Sequence, residues 1–255
     1  MRVLSIQVVS AFQENKQAIL ASGQTFLTLA KALNAKVQQL NVPEIAPPEV
    51  PRLLFQRSDV MAALSFARLE VTARPPSHIA NNFRSSLDFA ARSSLPLVQD
   101  LVAKYQQYTW TGSIVALEYQ MPGKGISSHK RLEPCFDRML TIQRNGRPLG
   151  AFNVQFGFQE AAIYRGFTVR AFEIRAFQVE GPGVVSLEAE RGEIESSGIE
   201  ILLDVNNKRA DKRGDPASDI GFLLTEQKAL YDNMLDTLNL RGVLDEYRND
   251  TEVKV

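Results

Sequence analysis

The chain has 255 residues, enough to bury a core as one large domain or two small ones without disulfides or metals. Its 29 lysines and arginines balance 29 aspartates and glutamates, so it lacks the general basic excess of proteins that coat nucleic acid. The single cysteine, Cys135, excludes an intramolecular disulfide and a cysteine-built zinc site.

The opening MRVLSIQVVSAFQENK has a short apolar part broken by Ser5, Gln7 and Ser10, unlike a signal peptide. No apolar run approaches the about 20 residues that span a bilayer. The expected address is the cytoplasm, with no membrane partner.

Residues 3–9 are β-rich. A helix is predicted over 15–39, with Ile19, Phe26, Leu29, Leu33, Val37 and Leu40 on one face. Four prolines within residues 43–51 rule out helix there and predict an extended connector into a short strand at 52–56. Arg57-Ser58-Asp59 reads as a turn. Residues 64–71 read as one strand whose face switch between Phe66 and Leu69 implies a bulge. Pro75-Pro76-Ser77 opens a helix with Ile79, Phe83, Leu87 and Ala90 inward. Pro96 is expected to break or kink it, with Ser93 or Ser94 capping a second segment. Val115, Leu117, Tyr119 and Met121 alternate as a strand.

The first half, residues 1–122, therefore reads β-α-β-β-α-β, the order of the ferredoxin-like plan. Residues 123–133 (GKGISSHKRLE) form a polar, basic linker. Residues 134–247 read as an antiparallel β-meander closed by a helix. Strands are expected at 139–144, at 152–158, over 167–179, at 184–190 and at 199–205, with Asn145-Gly146 as a hairpin turn. Phe152, Val154, Phe156 and Phe158 share one face. The doublet Arg170-Ala171-Phe172-Glu173-Ile174, Arg175-Ala176-Phe177-Gln178-Val179 has a five-residue period, whereas strand side chains repeat every two. Phe172, Ile174 and Ala176 then share one face; either a bulge near Ala176 returns Phe177 to the core side, the favoured expectation, or the strand is buried on both faces and Phe177 needs cover from a helix, a second sheet or a partner. Residues 206–218 form a charged loop. Thr225 is expected to cap the last helix, with Leu230, Met234 and Leu238 inward and Gly242 as its stop. The fold class is α+β, in two units joined by the linker or as one continuous domain.

The segments VVSAFQENKQAILASGQTF, APPEVPRLLFQRSD and LTEQKALYDNMLDTLNLRGVLDEY resemble a sporadically distributed family of uncharacterised bacterial proteins. The resemblance implies the proline-rich entry to an early strand, the β-rich second half and the closing helix. It carries no activity and no functional residue. The family's patchy distribution implies a setting such as anti-phage defence or a toxin–antitoxin pair.

Chemistry is thin along the chain. His129 and Cys135 lie near Asp137, but no oxyanion-hole pattern accompanies them. His78 sits at a helix start. Glu188 and Glu190 share a strand face, as do Glu193 and Glu195, but they alternate with apolar residues as on a solvated sheet. Asp204 lacks the Glu-x-Lys neighbour of restriction-type nucleases. Phosphate-cradling glycine loops and the Gly-x-Ser-x-Gly elbow are absent from the sequence. Two basic groups remain: Lys124, His129, Lys130 and Arg131, and Lys208, Arg209, Lys212 and Arg213.

The expected function is a non-enzymatic interaction or accessory protein acting through its β-sheet, paired with a protein partner or a second copy of itself. One alternative is RNA or DNA binding through the two basic loops. Another is a hydrolase built on carboxylates. Neither cofactor nor metal is expected.

Overall fold

The computed structural model describes residues 1–101, 108–121, 130, 133, 137, 152–175, 193–210 and 215–238. The strands are β1 (Arg2–Phe12), β2 (Lys36–Gln39), β3 (Leu53–Gln56), β4 (Val60–Leu64), β5 (Arg68–Ala73), β6 (Tyr108–Met121), β7 (Asn153–Glu160), β8 (Ile163–Arg175) and β9 (Ile194–Asn206). The helices are α1 (Lys16–Leu33), α2 (Ser77–Ala80), α3 (Phe83–Leu101) and α4 (Pro216–Thr237).

The nine strands among the described residues form one antiparallel sheet in the order β2-β3-β4-β5-β1-β6-β9-β8-β7. The class is therefore α+β, and both halves of the chain contribute to the same sheet. A single row of register partners crosses it: Lys36, Gln56, Met61, Thr72, Gln7, Ile114, Asp204, Gly166 and Gly157.

Strand side chains alternate between the two faces of this sheet. On one face Ile6, Val8, Val71, Ala62, Val115, Leu203 and Phe167 form a single core with Phe26, Leu87, Leu97, Ile220, Leu223 and Leu230 of the helices. α1 packs against β2 and β3, α3 against β1 and β5, and α4 against β6 and β9. Phe152, Val154 and Phe156 belong to this covered face, as their alternation predicts. α1, α3 and α4 thus all lie on this covered face.

Several expected boundaries are corrected. The first half contains six strands rather than the four of a βαββαβ unit. The helix expected over 15–39 stops at Leu33, and residues 36–39 become β2. Asn34 supplies the stop by taking φ 50°, and the Ala35 amide donates back to the Ala30 carbonyl at 2.8 Å. That is the bond of a Schellman cap, and Asn is among the few residues that tolerate a left-handed backbone.

The proline stretch is not extended. The amides of Ala46 and Val50 donate to the carbonyls of Pro43 and Pro47 at 3.1 Å, folding it into two turns. The bulge expected inside 64–71 is instead a hairpin. Ser65 Oγ accepts from the amides of Ala67 and Arg68, so the chain reverses there and Phe66 sits in the turn. Pro96 lies inside α3 without ending it. It removes one backbone donor, but the apolar stripe around it (Leu87, Ala90, Leu97, Val98) stays in the core on both sides.

Thr225 is not a cap. α4 begins nine residues earlier, where Asp215 Oδ1 accepts from the amides of Ala217 and Ser218 and Pro216 occupies the first turn. Thr225 Oγ1 merely donates to the Gly221 carbonyl one turn back.

In β8 the covered face is Phe167, Val169 and Ala171. Phe172 and Ile174 therefore point to the open face, and Ile174 is 53% exposed. The register shift in this region falls between Ile174 and Arg175, and the extra residue is Glu195 on β9. Ala176, Phe177, Val179 and Gly242, and the strands expected at 139–144 and 184–190, lie outside the described residues.

Candidate functional site

Polar chemistry concentrates where β6 begins, β9 ends and α4 starts. Tyr108 Oη donates to Asp219 Oδ2 at 2.7 Å and accepts from Thr111 Oγ1 at 2.6 Å. Asn207 Nδ2 donates to the same Asp219 oxygen at 2.7 Å, while Asn207 Oδ1 accepts from the Thr111 amide at 2.8 Å. Burial, with Asp219 beside it, pushes the Tyr108 phenol further above its usual value, against the opposing bond from Thr111. A neutral phenol whose donor is already committed neither attacks nor transfers a proton at neutral pH. The cluster is a clasp that ties α4 to the sheet.

Gln227 ties α4 down one layer deeper. It is fully buried, and its Nε2 donates to the carbonyls of Ser113 at 2.7 Å and Leu203 at 3.0 Å. Arg165 links α4 to β8, donating to Glu226 from Nε at 3.1 Å and to Glu160 from Nη1 at 2.6 Å.

The open face carries the rest. Three ion pairs lie on it: Arg2 with Glu118, Arg68 with Glu70, and Arg170 with Glu200. Between them lie half-buried apolar residues, Leu54, Ile114, Ala116, Leu202 and Phe172, with Met61 42% exposed. Val9, Ala11 and Ala63 also point to this face and are largely buried.

Glycines let aromatic rings lie close against the sheet here. A Cβ on Gly157 or Gly166 would strike the Tyr164 ring, at 2.5 Å and 2.7 Å, and one on Gly198 would strike the Phe172 ring at 2.8 Å. Lys208 Nζ stands 5.5 Å over the Trp110 ring. Asp204, in the same region, has its carboxyl held above the usual range by burial, while a 3.2 Å hydrogen bond from Asn206 pulls it partly back.

Of the expected basic residues, Lys130, Lys208 and Arg209 are described and exposed. Lys124, His129, Arg131, Lys212 and Arg213 lie outside the described residues, as do Cys135, Glu188 and Glu190. His78 is exposed on α2. Among the described residues no three His, Cys, Asp or Glu side chains gather to hold a metal ion. Among the described residues no helix is long and apolar enough to cross a membrane.

The rings and glycines of the open face escaped the sequence reading. The available signal was isolated glycine inside strand patterns (Gly157, Gly166, Gly198), which marks close approach of another group. A scan against protein-family models finds no match, and a search of curated proteins finds none either.

Proposed function

We propose that this chain is a non-enzymatic interaction protein whose working surface is the open face of its sheet, and that it pairs there with a second copy of itself. One observation carries the reading: α1, α3 and α4 pack on the opposite face, while this face carries three matched ion pairs with half-buried apolar residues between them. Nine strands about 4.8 Å apart make a face about 38 Å wide, ample for the about 800 Å² per partner of a standard interface. Zero net charge lets two copies approach without monopole repulsion. The single tryptophan, Trp110, lies on this face and reports on it. Its emission should shift to the blue as the protein is concentrated. Emission that is independent of concentration contradicts pairing through this face.

A second reading is single-stranded nucleic-acid binding, favoured by the Lys208 cation over the Trp110 ring. An oligonucleotide should then quench Trp110 at low salt. The quenching should fade steeply as salt rises, and charge reversal at Lys208/Arg209 or Lys130/Arg131 should remove it.

We also read β4, β5, β1 and β6 with α1 and α3 as a ferredoxin-like unit widened by the β2–β3 hairpin. The order β6-β1-β5-β4 and the α3 crossover from β5 to β6 support this. A cytoplasmic home rests on the lone cysteine, and a defence or toxin–antitoxin setting on the resemblance alone.

A further inference from the structure

Between the start of α1, the end of β2 and the β4–β5 turn lies a cavity of about 540 Å³. Arg52 lines it, is only 5% exposed, and pairs with no carboxylate among the described residues. Its guanidinium donates to the carbonyls of Val42 at 2.8 Å, Pro43 at 3.1 Å and Ala46 at 3.4 Å, while its Nε is buried without a partner. Carbonyl dipoles satisfy donors but do not cancel a full charge, and a buried cation without a counter-charge is costly.

A second cation shares the same aromatic ring. Arg52 Cζ lies 4.4 Å and Lys16 Nζ 5.9 Å from the centre of Phe66. Lys16 is the first residue of α1, whose first turn carries no acidic residue, so the positive end of the helix adds to the local potential. Among the described residues the one acid lining the cavity, Glu44, is exposed and hydrogen-bonds to neither cation. Leu40, Val42 and Phe66 give the remaining wall its apolar character.

We propose that this cavity binds a small organic anion, with a phosphate- or carboxylate-type head between Lys16 and Arg52 and an apolar body over Phe66. The site is independent of the pairing face in its residues, since its lining shares none with those named on that face. A ligand there would also lock the proline turns that Arg52 holds.

Calorimetric titration of the full chain with phenyl phosphate, and separately with inorganic phosphate, tests this. Phenyl phosphate should bind saturably with Kd at or below about 1 mM, and inorganic phosphate several-fold more weakly. Lys16→Glu, at an exposed position, should leave the melting curve unchanged and weaken phenyl phosphate by about tenfold or more. Arg52→Gln should weaken it too, with Lys16→Glu as the deciding variant if the Arg52 variant fails to fold. No saturable heat up to about 10 mM, or equal binding by the Lys16→Glu variant, overturns the site. Equal affinity for the two phosphates overturns the apolar half of the ligand.

Discussion

Glu118 on β6 and Glu200 on β9 are register partners on the open face, and each is held from its far side by an arginine. Arg2 reaches Glu118 from β1 at 3.5 Å, and Arg170 reaches Glu200 from β8 at 2.9 Å. The four strands thus present a row of alternating sign, plus-minus-minus-plus, in which two like charges sit side by side because both are neutralised.

That row predicts a specific coupling. Arg170→Ala leaves two carboxylates facing each other and should cost about 0.5–1 kcal/mol, less in high salt because the pair is partly exposed. The double variant Arg170→Ala/Glu200→Ala should recover part of the loss. A urea-denaturation cycle measures it, and additivity of the two single losses would refute the coupling.

The Tyr108 clasp should be stabilising rather than chemical. Tyr108→Phe removes the hydroxyl on which Thr111, Asn207 and Asp219 converge and should cost about 1–2 kcal/mol. Hydrogen exchange should quicken first in the opening turns of α4. A variant as stable as the parent would show the clasp to be idle.

Two glycines should respond to alanine in opposite directions. At Gly198 a Cβ would lie 2.2 Å from the Tyr119 carbonyl oxygen, a backbone atom that cannot step aside. Gly198→Ala should therefore destabilise by about 2 kcal/mol or more. At Gly221, inside α4, nothing lies within 4 Å, so Gly221→Ala should stabilise by about 0.5–1 kcal/mol. Thermal melts of the pair give the signs directly.

Two aspartates should tilt the stability curve in opposite ways. Burial raises the folded-state value of Asp204 above its usual 3.8, so its native form holds the proton more tightly than the unfolded chain. Its stabilising contribution is present below that usual value and is lost as pH rises through the raised one. Hydrogen bonds from Ser218 lower the value of Asp215, so its contribution is present above the usual value and fades as pH falls. Asp204→Asn should accordingly gain on the parent as pH rises from acid to neutral, and Asp215→Asn should lose. Denaturation series across acid to neutral pH decide both signs.

The long alternations were legible in the sequence. Val115-x-Leu117 and Ile199-x-Ile201-x-Leu203-x-Val205 become central strands because one face of each must be covered. What misled were local side-chain bonds that periodicity does not register. Asn34 ends α1 inside an unbroken apolar stripe, and a Ser65 hydroxyl folds a run of apolar residues into a hairpin. Asp215-Pro216 was readable as a helix start, being a cap followed by a ring already fixed at helical φ. Which face of β8 is covered is not legible in the sequence, because Phe172 and Ile174 look like core residues. Only the pairing of Phe172 with Gly198 shows an aromatic ring settled over a glycine on the open side.

Light scattering on three proteins at about 100 μM tests the central claim most directly, since a Kd near micromolar would leave almost all of the chain paired at that concentration. The parent should scatter as a particle of twice 28.4 kDa, and Leu202→Arg, on the open face, should return it to 28.4 kDa without unfolding it. Phe222→Arg, at a 50% exposed position on α4, should stay paired. A parent of 28.4 kDa, or a dimer split by Phe222→Arg but not by Leu202→Arg, would contradict pairing through the sheet.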